Sequence, residues 1–206
     1  MRIIAHRGND GIHGENTAEG ILNCLNFDYV DGVEFDIRMT KDFKFVINHD
    51  PFYRGYLIRK TRFKVLLQAG ISSLEEVLSS MNTNKIILIE IKEETKKYHI
   101  LIAKLYRLLK KYSLNYYIFS FNYDLMSYFK FKHCSMKCGL LIGIKANVDK
   151  INNNLDFNGV NYRHANKSKK ESFVWTINGK DEFNFVGKDQ GIITDRCEFF
   201  SKYEKR

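Results

Sequence analysis

Two histidines, His6 and His49, each stand just after a short apolar run and beside a second polar residue, Arg7 and Asp50. A pair of imidazoles titrating near neutral pH is what general acid and general base work requires. Three carboxylates accompany them. Glu34 and Asp36 are two apart in a β-branched, aromatic run, so both point to one face of a strand. Glu90 interrupts the otherwise apolar run from Ile86 to Ile91, whose centre should be buried. If the three acids converge, their mutual repulsion either raises their pKa values or is relieved by a cation. An all-oxygen donor set without cysteine suits one hard divalent ion, Mg2+ or Ca2+, better than zinc. The plain alternative is surface carboxylates neutralised by nearby lysines. Arg7 offers a planar fork and Lys92 a point charge, both suited to a phosphate beside such an ion.

These residues need elements that bring strand ends together. Short runs rich in β-branched and aromatic residues occur at Ile3-Ala5, Val33-Arg38, Phe45-Asn48, Ile86-Ile91, Tyr116-Phe121, Leu140-Ile144, Gly159-Tyr162, Phe173-Ile177 and Gly191-Thr194. Helical spacing lies between several of them. Asn16 with Glu19 predicts a cap ahead of Ile21, Leu22 and Leu25, and Ser73 with Glu76 predicts another ahead of Leu74, Val77 and Leu78. A third helix is expected near Glu94 to Tyr112, with Leu101, Leu105, Leu108 and Leu109 on one stripe. Alternating strands and helices predict an α/β fold, a compact (β/α)8 TIM barrel near its minimum size, with an open doubly wound sheet as the alternative. The barrel is preferred because the polar residues fall at strand ends, which in a barrel meet at one mouth. Only Met39 to Phe43 separates the second and third strand runs, too little for a parallel crossover. An irregular β-hairpin centred on Lys41 and Asp42 is predicted, setting His49 opposite Glu34. Nine strand candidates for eight places leave one outside the barrel.

Composition narrows the classes. With 206 residues, 44% hydrophobic and 28% charged, the chain can bury a core, and residues 1–206 are read as a single domain. No run approaches the ~18 apolar residues of a membrane span, and Arg7 interrupts any leader-like start, so a cytoplasmic location is expected. Four cysteines, of which only Cys134 and Cys138 are close, read as buried thiols rather than disulfides or a zinc site. The net charge of +9 decides nothing alone, and no nucleic-acid motif accompanies it, so no nucleic acid is expected as partner. Oligomeric state is open.

The ordered set His6-Arg7-Gly8, Glu15-Asn16-Thr17, Val33-Glu34-Phe35-Asp36-Ile37, Thr40-Lys41-Asp42 and His49-Asp50 resembles the opening of the glycerophosphodiester phosphodiesterase family. The similarity continues through Leu74 to Leu78, Glu90-Ile91-Lys92, Ser120-Phe121, Val174 to Asn178 and Gly191 to Asp195. The resemblance implies metal-dependent hydrolysis of glycerophosphodiesters to glycerol 3-phosphate and an alcohol. It makes His6 and His49 the acid/base pair, Glu34, Asp36 and Glu90 the ligands of one divalent cation, and Arg7 and Lys92 phosphate contacts. It adds Glu15 at the edge of the site and Trp175 as a pocket wall. Departures are Gly14, where a proline often stands, and Phe43, where a glycine is expected. The segment Pro51 to Ile71 is short and basic, which leaves two other readings open. One is phospholipase D-like action on lysophospholipids or sphingomyelin during transient contact with a membrane surface. The other is a non-catalytic phosphate-binding barrel.

Overall fold

The computed structural model describes residues 1–92, 98–144 and 154–203. The first half of the chain runs β1 (Ile3–Ala5), α1 (Ala18–Cys24), β2 (Gly32–Met39), β3 (Phe45–Ile47), β4 (Phe52–Tyr53), β5 (Tyr56–Leu57), α2 (Phe63–Gln68), β6 (Ser72–Ser73) and α3 (Leu74–Ser80). It continues with β7 (Ile86–Ile91), α4 (Tyr98–Leu109), β8 (Asn115–Ser120), α5 (Tyr123–Lys132), β9 (Lys137–Ile142) and β10 (Phe157–Asn161). The last elements are β11 (Ser172–Trp175), α6 (Lys180–Phe183), β12 (Gly191–Thr194) and α7 (Cys197–Ser201).

Eight of these strands close on themselves. The order β1-β12-β11-β10-β9-β8-β7-β2 is parallel throughout, and β1 pairs with both β12 and β2. That double pairing excludes an open sheet and makes the fold a closed (β/α)8 barrel. The strand left over is β3, which pairs antiparallel with β2 outside the ring and carries β6 on its far edge. The predicted hairpin therefore exists, but its register differs. Ile37 faces Ile47 and Met39 faces Phe45, one position away from the pairing that sets His49 against Glu34. The reason is the turn: five residues, Thr40 to Lys44, form the loop, closed by Thr40 N–H on Lys44 O, with Phe43 in the left-handed region at φ 62°.

Strand alternation sorts the side chains into two layers. Val33, Phe35 and Ile37 of β2 and Ile87, Ile89 and Ile91 of β7 join the outer core under the helices. Their neighbours point into the ring, where Ile86 and Leu88 meet Ile4, Tyr117, Phe119, Leu141, Phe157, Phe173 and Ile193. The rings fit because the adjacent strands carry glycine. A Cβ on Gly139 would lie 2.5 Å from the Phe157 ring, and one on Gly191 would lie 2.7 Å from Phe173. By the same parity Glu34, Asp36 and Glu90 face inward, above the apolar plug.

Helix ends follow the sequence with one correction. Ser73 caps α3 by accepting from Glu76 N. The cap of α1 is Thr17, which accepts from Gly20 N, and not Asn16. Leu101, Leu105, Leu108 and Leu109 of α4 are buried as the stripe requires. The expected start of that helix, residues 94–97, lies outside the described residues. The short elements β4, β5, β6, α2, α5, α6 and α7 were not foreseen, being too brief or too weakly periodic to stand out. Cys24, Cys138 and Cys197 are buried free thiols, and Cys134 is free and exposed. Among the described residues no helix is long and apolar enough to cross a membrane.

Candidate active site

The three acids meet. Glu34 and Asp36 come from β2, and Asp36 is the register partner of Glu90 on β7. One carboxylate oxygen from each lies within 4.8 Å of the others, and all three residues are buried. Burial, reinforced by Asp36 and Glu90, drives the Glu34 carboxyl well above the ordinary range, against the opposing pull of the Arg7 amide. Burial and the neighbouring Asp36 likewise push Glu90 up to about 7, although Lys92 favours its ionised form. Three inward carboxylates in a desolvated ring are costly unless a positive charge joins them.

Two cations already approach. Lys92 Nζ stands 2.7 Å from Glu90 Oε1 and 3.3 Å from Asp36 Oδ1. Arg7 follows β1 in a tight turn in which it and Gly8 are both left-handed, at φ 52° and 59°. The turn aims Arg7 N–H at Glu34 Oε2, 3.0 Å away, while the guanidinium donates to Glu15 at 2.7 Å and comes within 3.5 Å of Asp36. Glycine is required at position 8, where a Cβ would sit 2.4 Å from Ile21 Cγ1. Glu15 is half-exposed and reaches the cluster through Arg7.

Both histidines line one cavity of ≈ 210 Å³ together with Arg7, Glu34, Glu90, Lys92, Phe121 and Trp175. Each has a carboxylate on Nδ1: Asp195 at 2.7 Å from His6, and Asp50 at 2.8 Å from His49. This arrangement leaves Nε2 of each ring unclaimed by those partners, the nitrogen that a substrate proton can use. Burial alone would raise Asp195, but its bonds to His6 and Asn178 hold it below the usual carboxylate range. Trp175 stands edge-on to Phe121, ring centroids 5.8 Å apart, and its indole N–H is buried with no hydrogen-bond partner among the described residues.

Sequence reading overlooked three supporting side chains. Asn16, left-handed at φ 56°, brackets Asp36 by donating to Oδ2 at 2.9 Å and accepting from its N–H at 3.0 Å. Arg38 donates to the carbonyl of His49 through Nε and Nη2, at 2.9 and 2.6 Å, and to that of Lys92 at 3.0 Å. Asn178 fixes Asp195, donating to Oδ2 at 2.6 Å and accepting from its backbone N–H. Asp195 was within reach, since it ends the last strand as Lys92 follows β7. His13 does not join the cavity; it pairs with Asp10 at 2.5 Å.

Comparison with known proteins gives this arrangement a class. The Glycerophosphoryl diester phosphodiesterase family model matches residues 6–57, the stretch holding both histidines and two of the acids. A glycerophosphodiester phosphodiesterase crystal structure from Thermotoga maritima is 27% identical, covers 98% of this chain and 97% of its own, and superposes with a TM-score of 0.79. The uncharacterized protein MG293 of Mycoplasma genitalium is 29% identical over 88% of both chains. A phosphodiesterase from Oleispira antarctica, solved with sn-glycerol-3-phosphate as product, shares the fold at TM-score 0.82 and 20% identity, covering 100% of this chain and 97% of its own. The protein is thus one of the barrel hydrolases of phosphoric diesters. Within that class, the chain is similar to the glycerophosphodiester phosphodiesterase family, whose model matches residues 6–57 and whose solved member from Thermotoga maritima it matches over nearly its whole length.

Proposed function

We propose that this chain hydrolyses glycerophosphodiesters to glycerol 3-phosphate and an alcohol, with His6 and His49 exchanging the protons. One observation carries the reading: the oxygens of Glu34, Asp36 and Glu90 converge, and Glu34 and Glu90 line a cavity that also presents two imidazoles, each backed by a carboxylate.

The donor set fits a hard divalent cation, because the burial and mutual repulsion that raise Glu34 and Glu90 are what a bound ion relieves. Glu34, Asp36 and Glu90 would hold it, and when bound it would polarise a phosphoryl oxygen and offset developing charge. The remaining steps belong to the chain. Arg7 orients the phosphate through its guanidinium, itself fixed by Glu15. One imidazole takes the proton of the glycerol hydroxyl next to the diester, and that oxygen attacks phosphorus. The bond to the alcohol breaks as the second imidazole protonates the departing oxygen. Water then opens the cyclic phosphate with the two histidines reversing roles, leaving glycerol 3-phosphate. Asp195 and Asp50 keep each ring donating from Nδ1, so that Nε2 exchanges the proton. Trp175 and Phe121 wall the space taken by the glycerol and the leaving alcohol.

The test is release of glycerol 3-phosphate from glycerophosphocholine with Mg2+ or Ca2+, repeated after chelation. Activity abolished by chelator and restored by the ion supports the proposal. Absence of chelator-sensitive turnover on any phosphodiester removes it.

A further inference from the structure

The mouth of the barrel is apolar on its outer rim. Among the described residues, Ile12 after β1, Phe52 and Tyr56 after β3, Phe121 and Tyr123 after β8, and Ile144 after β9 are all large and exposed. Ile12 is 77% exposed, Phe52 55% and Phe121 50%. Ile12, Phe121, Tyr123 and Ile144 sit on connections leaving the C-terminal ends of barrel strands, the side on which the cavity opens, while Phe52 and Tyr56 belong to the hairpin that follows His49, itself on the cavity wall. Phe121 belongs to both surfaces, since it also lines the cavity.

Beside them stands a lobe made of residues 51–71. It holds five basic residues, Arg54, Arg59, Lys60, Arg62 and Lys64, and no acidic one. The lobe has its own small core of Val46, Ile58, Leu66 and Ile71. Its tip is the β4–β5 hairpin, with Arg54 and Gly55 both at positive φ, 45° and 83°. Asn48 bonds the carbonyls of Asp50 and Phe52, so this hairpin is anchored directly after His49.

An apolar rim next to an unbalanced positive lobe complements a surface that is negative outside and greasy beneath. We propose that this face docks on an anionic lipid bilayer, with Phe52, Tyr56 and Ile12 entering the headgroup layer and the lobe's cations meeting its charge. The active-site mouth then faces the bilayer, and the substrate it receives is a phosphodiester lipid held there. Docking stands independently of the catalytic reading; only the substrate class rests on it.

The experiment is cosedimentation of the full chain with phosphatidylcholine vesicles, with and without phosphatidylglycerol. The chain is expected to bind the anionic vesicles, less so at high salt, and to ignore the neutral ones. Phe52→Ser with Tyr56→Ser, Arg59→Glu with Lys60→Glu, and Ile12→Ser on a separate loop should each weaken binding. The expected loss is about fivefold per basic residue removed, and about tenfold for the aromatic pair. Unchanged circular dichroism and unchanged turnover of soluble glycerophosphocholine exclude misfolding. No vesicle binding by the unaltered chain, equal binding by all the variants, or salt-sensitive capture of single-stranded RNA in place of vesicles overturns the proposal. Lysophosphatidylcholine in the same anionic vesicles provides the substrate arm, and its turnover should fall with the docking variants. Vesicle binding without turnover of either diester would sink the phosphodiesterase reading and leave docking intact; soluble turnover without vesicle binding would do the reverse.

Discussion

Each imidazole of the site is held by its own carboxylate, and neither shares that partner with the acid cluster. His6→Ala and His49→Ala should therefore each reduce kcat by about 10² to 10⁴ in a chain that still unfolds cooperatively, His6→Ala at a somewhat lower melting temperature because Asp195 loses its partner. Steady-state rates with melting curves would check this, and a variant that keeps full activity would clear that residue of the role. Phe43 gives a prediction of the opposite kind. It occupies the left-handed region at φ 62° and is exposed, so Phe43→Gly should stabilise the fold by up to about 1 kcal/mol, or a few degrees in Tm. Glu34 and Asp36 were legible from the sequence by strand parity, Glu90 as a charge inside an apolar run, and the histidines by their place at the ends of strands. Asn16 was not, since an asparagine before a helix reads as a cap, and only the left-handed backbone turns it toward Asp36.

At the scale of elements, the sequence announced eight strands and a hairpin because apolar runs and short connections are local signals. The hairpin's register depended on whether its loop was even or odd, and the unusual φ of Phe43, which no local preference announces, fixed that choice. Arg38 matters here because it ties three strand ends together, spanning from β2 to the carbonyls after β3 and β7. Arg38→Met should loosen His49 and Lys92 at once. We expect kcat to fall about tenfold or more with less change in KM, since small displacements of reacting groups cost rate. Equal kcat in the variant would show that the clamp is dispensable. Inside the ring, Gly159 faces Leu141 and Phe119, where a Cβ would come within 2.7 and 2.9 Å. Gly159→Val should cost about 1 to 3 kcal/mol of stability by overpacking, read as a lowered denaturation midpoint.

For the molecule as a whole, the acid cluster sets how stability answers to pH and ions. Glu90 is raised from 4.5 to about 7, so over that interval the folded chain keeps a proton that the unfolded chain has released. Stability from this group is therefore lost as pH rises from about 4.5 through about 7, and Glu34 acts in the same direction. Asp10 and Asp195 do the opposite. Burial would raise both, but hydrogen bonds from His13 to Asp10 and from His6 to Asp195 outweigh it. Their contribution is present above the ordinary aspartate value of 3.8 and lost below it. In chelator, Tm should thus decline between about pH 5 and about pH 8, and added Mg2+ or Ca2+ should restore it most at the higher pH. An ion at about 100 times its Kd contributes about 2.7 kcal/mol. Calorimetry showing no ion-dependent shift above neutral pH would argue against a cation among these three acids.

The strand that brings His49 stands outside the closed ring, and the chain rejoins the regular alternation only at α3. Hydrogen bonding around the circle is complete without it, since β2 pairs directly with β7. Whatever is grafted between Asp50 and Ser72 can therefore lengthen, shorten or change its chemistry without altering how the staves of the cask meet. The His49 imidazole thereby rides on the most replaceable part of the scaffold, and the lining of the cavity mouth can be remade there while the acids on the fixed staves stay where they are.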